Sequence, residues 1–154
     1  MSAEYSANAV QTIPPGGAFI FTETPSPCVR GFVRHREGSG SFLLSGWTPR
    51  KSCGCRTKSA RYSVDFGANI AIPTGGTVGP ISVAIAIDGA TVPATSMIIT
   101  PAAVEEYFNV SRATGLDIWN GCCETVTFIN TSDQPILAQN ANVVFDRPDL
   151  TVTY

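Results

Sequence analysis

Short apolar or alternating segments, separated by turn residues, run along almost the whole chain. The segments are rich in β-branched and aromatic residues, which favour strands. The connections between them are rich in Gly, Pro, Asn and Asp, which favour tight turns. The pattern predicts strands at residues 9–13, 18–22, 29–36, 41–47, 61–72, 81–87, 95–100, 106–112, 115–119, 124–130 and 136–145.

The segment from residue 81 to 87 has the strictest alternation. Its odd positions carry large apolar side chains and its even positions carry small uncharged ones, so neither face is charged. Two non-polar faces indicate a central strand or a strand packed against another subunit. The candidate interface residues here are Ile81, Val83, Ile85 and Ile87.

Two other segments have distinct local patterns. Residues Gly31 to Gly46 predict a hairpin that turns at Gly38-Ser39-Gly40. Residues Thr100 to Glu106 predict a helix of one or two turns. Thr can cap the N-terminus of a helix, Pro is favoured in the first turn, and Glu interacts favourably with the positive end of the helix dipole.

The fold class that these strands predict is all-β, as a single jelly-roll sandwich. The 154 residues suffice for one domain with a sizeable core. We divide the chain into an N-terminal docking arm or first strand at 1–13, the jelly roll at 14–145 and a C-terminal tail at 146–154. The tail is either a loose end or an arm that adds to a neighbour, since residues 151–154 have strand character.

Charged residues make up only 14% of the chain, against about 25% in a typical globular protein. Together with 44% hydrophobic residues, this excludes a disordered chain and argues against a charged helical bundle. A good core with so little charge suggests that part of the surface is covered by a neighbour.

The cations are concentrated in one segment. Residues 30–61 hold eight of the ten Lys and Arg residues and a single acid, Glu37. Such a segment can bind a partner, including nucleic acid, but recognised nucleic-acid motifs are absent, so we favour contact with an acidic edge of a neighbouring subunit. The candidate interface residues here are Arg30, Arg34, His35 and Arg36.

Catalytic chemistry has little support in the sequence. His35, the only histidine, lies between two arginines and fits a structural or interface role better than that of a base. P-loop, dinucleotide and paired-carboxylate patterns are missing, so we expect no enzyme activity and no cofactor. The sequence also shows no signal peptide or membrane span, and we expect no membrane partner.

The five cysteines leave three alternatives open. Cys53, Cys55, Cys122 and Cys123 form two close pairs in separate loops, with Cys28 apart. Neighbouring cysteines rarely bond each other, so disulfides would join the two loops, with Cys28 pairing between subunits or staying free. A zinc site of the four paired cysteines is weaker, because the spacing is shorter than usual, and inert thiols are the third alternative.

Seven segments of the sequence form a recognisable set: residues 8–12, 28–40, 66–81, 104–110, 121–123, 130–134 and 139–142. Taken together they resemble a family of small proteins that phages and prophages of gut Firmicutes encode among virion genes. The layout also resembles, more weakly, the trimeric jelly rolls of the complement C1q and tumour-necrosis-factor (TNF) type found in phage head fibres and decoration proteins.

These resemblances imply a compact homotrimer located in the virion. The leading expectation is a phage capsid decoration or head-fibre subunit made in the host cytoplasm, with Ser2 to Ile13 facing the capsid. The alternatives are a receptor- or glycan-binding fibre tip that uses Trp47, Trp119, Tyr62 and Tyr107, and a disulfide- or metal-linked subunit of a surface appendage.

Overall fold

The computed structural model describes residues 1–28 and 30–150, which fold into two antiparallel sheets packed face to face. One short 3-10 turn, Pro93–Thr95, is the only helical element in this part of the chain. The strands are β1 (Ser2–Ala7), β2 (Gln11–Ile13), β3 (Glu23–Ser26), β4 (Val33–His35), β5 (Phe42–Ser45), β6 (Ser59–Ala71), β7 (Ile81–Ile87), β8 (Ala90–Thr91), β9 (Met97–Ile99), β10 (Phe108–Trp119), β11 (Cys123–Asn130) and β12 (Ile136–Asp146).

The two sheets have different strand orders. The first sheet runs β10-β6-β12-β1-β3, with β2 also paired to β12. The second sheet runs β4-β5-β11-β7-β8, with β9 also paired to β7. The predicted all-β sandwich is therefore confirmed, and the predicted hairpin is the β4–β5 pair.

An aromatic cluster fills the space between the sheets. Phe42 contacts Tyr5 and Phe145 of the first sheet at ring-centroid distances of 5.0 and 4.9 Å. Phe66 of the first sheet stacks on Phe128 of the second at 4.4 Å. Contacts of this kind add to the energy of burying the rings, so the cluster holds the two sheets together.

The helix predicted at 100–106 is wrong. Glu105 has φ +57° and its backbone N–H donates to the Ile72 carbonyl at 2.7 Å. The Thr74 hydroxyl donates to the Glu105 carboxylate at 2.8 Å. These contacts tie the segment to the end of β6 as a turn, which a right-handed helix would not allow.

The first strand, β1, and the twelfth strand, β12, lie side by side in the first sheet. Strand β1 pairs with β12 on one edge and β3 on the other, so Ser2–Ala7 is an internal strand and not a free arm. Residues 147–150 turn back, with the Arg147 N–H donating to the Met1 carbonyl at 2.8 Å. The candidate arm at 151–154 lies outside the described residues.

Candidate assembly face

The outer face of the first sheet is the clearest candidate for contact with a second copy. In β6 every second side chain enters the core, and the intervening positions, among them Ser63, Gly67 and Asn69, point outward. The register pairs Gly67 with Ser111 and Ser63 with Gly115, so small residues lie side by side on β6 and β10. We call the central outward positions of β10, β6 and β12 the assembly face; they are Asn109, Ser111, Ala113, Gly115, Ser63, Asp65, Gly67, Asn69, Leu137, Gln139, Asn142 and Val144.

The assembly face carries little charge. Asp65 is its one acidic residue, and Arg61 and Asp117 form an ion pair at one end of the face, at 2.7 Å. Next to the assembly face, on β1, the Glu4 carboxylate accepts a hydrogen bond from the Asn142 amide at 2.7 Å. The scarcity of charge is typical of the core of a subunit interface, because little charge has to be desolvated there. The small side chains allow the backbones of two copies to approach closely.

The interface residues predicted from the sequence lie elsewhere. Ile81, Val83 and Ile85 are at most 1% exposed and lie in the core, where the opposite sheet of the same chain covers them, and Ile87 is half-buried. This strand with two non-polar faces is central because its own chain covers it, so Ile81, Val83 and Ile85 are part of the core of a single chain and do not lie on its surface.

The basic segment is spread over the other side of the sandwich. Arg30, Arg34 and Arg36 are exposed, and Arg34 lies on the outer face of the second sheet, opposite Leu43. His35 points inward and stacks on Phe42 at 4.3 Å. Its ring nitrogens lie 3.0 and 3.2 Å from the carbonyl oxygens of Ser41 and Phe21. These contacts give His35 a structural role inside the sandwich.

The cysteines do not form the cross-loop disulfides that were one of the three alternatives. Cys53 bonds Cys55 within one loop, with their Cα atoms 5.5 Å apart. Gly54 between them has φ +80°, and the Lys51 N–H donates to the Cys55 carbonyl at 2.7 Å, so the loop folds back on itself. Cys122 and Cys123 are exposed free thiols and Cys28 is a half-buried one.

A metal centre of the four paired cysteines does not form, because two of them are used in this bond. In the described part of the chain, no group of three or more His, Cys, Asp or Glu side chains is placed to hold a metal ion. In the same residues, no helix is long and apolar enough to cross a membrane.

A buried arginine fixes the end of the last strand, and the sequence did not reveal it. Arg147 is fully buried, and its guanidinium lies over the Tyr62 ring at 4.9 Å. It donates to both Asp149 carboxylate oxygens, at 2.8 and 2.6 Å, and to the Trp47 carbonyl at 3.2 Å. Burial lowers the pKa of Arg147, but the hydrogen bonds to Asp149 and Tyr62 outweigh burial, and the pKa is raised. The hydrogen bond from Arg147 in turn lowers the pKa of Asp149.

The fold is shared with solved structures of low sequence identity. The globular domain of zebrafish complement 1qA superposes with a TM-score of 0.59 at 12% identity, covering 94% of this chain and 92% of that one. Eiger TNF from S. frugiperda superposes with a TM-score of 0.63 at 9% identity, covering 100% of this chain and 94% of that one. Murine APRIL superposes with a TM-score of 0.55 at 10% identity, covering 96% of this chain and 99% of that one.

The chain therefore has the jelly-roll fold of C1q and TNF domains. No protein-family model matches the sequence, and no curated protein matches it. At these identities the likeness concerns the fold alone, and function has to be argued from the surfaces described above.

Proposed function

We propose that this chain is a non-enzymatic structural subunit that assembles as a homotrimer, with the assembly face of each copy turned toward the three-fold axis. The observation that supports this most is the row of small residues on β6 and β10, from Ser63 and Gly115 to Gly67 and Ser111, on a sheet with one central charge. The resemblance of the chain to trimeric jelly rolls of the C1q and TNF type points to the same symmetry.

The proposed setting of this trimer is a phage virion, as a capsid decoration or head-fibre subunit. The support is the resemblance to small proteins encoded among virion genes, together with a surface poor in charge. Because Ser2–Ala7 is paired on both edges, the capsid contact would involve loops at one end of the sandwich and not an extended N-terminal arm.

Cryo-microscopy of purified virions tests this setting directly. Virions carrying the wild-type chain and virions from a phage lacking its gene should differ by three-fold symmetric density on the capsid surface. Difference density on the tail, or the absence of any difference, would contradict the decoration role while leaving the homotrimer to be tested separately.

A receptor- or glycan-binding tip is the second candidate function. A groove lined by arginines and an exposed tryptophan on the second sheet favours it. This groove lies on the opposite side of the sandwich from the assembly face, so both functions are compatible in one trimer.

A further inference from the structure

A groove opens on the outer face of the second sheet, where β4, β5 and β11 meet the loop 46–58. It encloses about 350 Å3. A second lobe of about 300 Å3 adjoins it and shares Gly31, Arg34, Ser45 and Trp47 with it. Both volumes are within the range of small-molecule sites, which is about 300–1,000 Å3. We call the two lobes the arginine groove.

The arginine groove carries positive charge that the protein itself does not neutralise. Arg34 and Arg56 line the main lobe and Arg30 lines the second one. In the described part of the chain none of these three makes an ion pair, whereas Arg61 and Arg147 both do. Guanidinium groups bind carboxylate and sulfate oxygens through paired hydrogen bonds, so the groove suits an anionic ligand.

Trp47 gives the groove a flat apolar surface. Its side chain is 45% exposed and lines both lobes. Its backbone is fixed, because the N–H donates to the Ser45 hydroxyl at 3.1 Å and the carbonyl accepts from buried Arg147 at 3.2 Å. A ligand ring that stacks on this indole would therefore meet a surface already held in position.

The rest of the lining is suited to a ligand rich in hydroxyl groups. Ser45 and Asn120 offer polar side chains, and Gly31 and Gly121 leave backbone accessible. The two joined lobes fit an extended ligand with repeating units. A nucleic acid fits less well, because its phosphates need a long basic surface and this chain has an acidic isoelectric point of about 5.3.

We propose that the arginine groove binds an acidic oligosaccharide, with one sugar ring stacked on Trp47 and its carboxylate or sulfate held by Arg34 and Arg56. The second lobe with Arg30 would take the next sugar unit. This inference rests on the second candidate function proposed above, the glycan-binding tip, and names its ligand class. The groove is complete within one chain, so the inference is independent of the trimer and of the virion setting.

Titration calorimetry on the full chain tests this with four probes: a tetragalacturonate, a chondroitin sulfate tetrasaccharide, neutral maltotetraose and adenosine monophosphate. The first probe carries carboxylates alone and the second adds sulfates, so their affinities show which anion the arginines prefer. We expect one or both to bind and maltotetraose not to bind. Tighter binding of the nucleotide, equal binding of maltotetraose or no binding of either acidic sugar at millimolar concentration would overturn the proposal.

Matched variants locate the site. Arg34→Gln, Arg56→Gln and Trp47→Ala should each weaken binding about tenfold or more, since each removes a charge-assisted contact or the stacking surface. Arg36→Gln is the control, because Arg36 is exposed two residues from Arg34 and lines neither lobe. Thermal melting confirms that each variant is folded. Undiminished affinity in folded Arg34→Gln and Trp47→Ala variants, or an equal loss in Arg36→Gln, would refute the assignment.

Discussion

The Arg147 guanidinium donates two parallel hydrogen bonds to the Asp149 carboxylate, 2.8 Å from Nε to Oδ1 and 2.6 Å from Nη2 to Oδ2. The guanidinium is fully buried and also contacts Tyr62, whose hydroxyl lies 2.6 Å from the Ser45 carbonyl. Arg147 thereby joins the end of β12 to β6 and to Trp47, two residues after β5. It holds residues 147–149 and the backbone of Trp47 at the same time.

Removing the carboxylate should destabilise the fold strongly. Asp149→Asn leaves a buried guanidinium without its anion, which costs about 3–5 kcal/mol at a fully buried pair and less here, because the Asp149 side chain is 34% exposed. Urea unfolding should show a loss of about 1–3 kcal/mol in the free energy of unfolding. Asp117→Asn, which breaks an exposed pair, is the control and should change it by less than about 1 kcal/mol. Equal effects of the two variants would show that the Arg147 pair has no special role.

The same pair predicts how stability depends on pH. Arg147 holds the pKa of Asp149 below its usual range in the folded chain, so the unfolded chain binds this proton more readily. The stabilisation is present above the ordinary aspartate range and is lost as the pH falls through the folded-state pKa. The difference in urea midpoint between wild type and Asp149→Asn should shrink on acidification. A constant difference down to strongly acidic pH would be inconsistent with the ion pair.

The alternation of apolar and polar positions was enough to predict the all-β sandwich, because core packing imposes a period of two on every paired strand. This alternation did not predict structural features that depend on contacts between residues distant in the sequence. The pattern predicted two strands, 106–112 and 115–119, whereas β10 runs unbroken from Phe108 to Trp119 because it pairs with β6 along its whole length. At Gly115 the Arg61 guanidinium lies 2.7 Å from where a Cβ would be. The pairing of β1 with β12 likewise joins segments that are far apart in the sequence.

The residues of the proposed assembly face follow a pattern that the sequence contains. Small outward residues such as Ser63, Gly67 and Asn69 alternate with large core residues along β6. The sequence instead favoured an interface on β7, whose apolar alternation places its large side chains in the core. The Cys53–Cys55 bond was missed because it depends on the left-handed turn at Gly54, which spacing alone does not reveal.

Gly46 is a position where no side chain fits. A Cβ there would overlap the Trp119 carbonyl oxygen and lie 2.9 Å from that of Cys122, and both are backbone atoms. Gly46→Ala should therefore push the β10–β11 turn away from the loop 46–58 and lower the melting temperature by several degrees. Ser52→Ala, which removes an exposed hydroxyl in the loop 46–58 away from the assembly face, is the control and should melt like wild type. If Gly46→Ala melts no lower than Ser52→Ala, the close approach is not as described.

The disulfide predicts a small stabilisation and no covalent oligomer. It closes a loop of only three residues, and the gain from a disulfide falls with loop size to about 1–2 kcal/mol for so short a loop. On denaturing gels without reductant the chain should run as a monomer, and the double variant Cys53→Ser with Cys55→Ser should remain folded. Reductant-sensitive ladders would favour the linked appendage subunit that the sequence left open.

Mass in solution by light scattering is the most direct test of the homotrimer. Wild type at micromolar concentration should have three times the chain mass of 16.3 kDa. Ser111→Arg, which places a charge at an exposed position of the assembly face, should reduce the mass to that of one chain. Ser52→Arg, which adds the same side chain in the exposed loop 46–58, should leave it unchanged. A wild-type mass of 16.3 kDa, or a Ser111→Arg variant with an unaltered oligomer mass, would contradict assembly through this face.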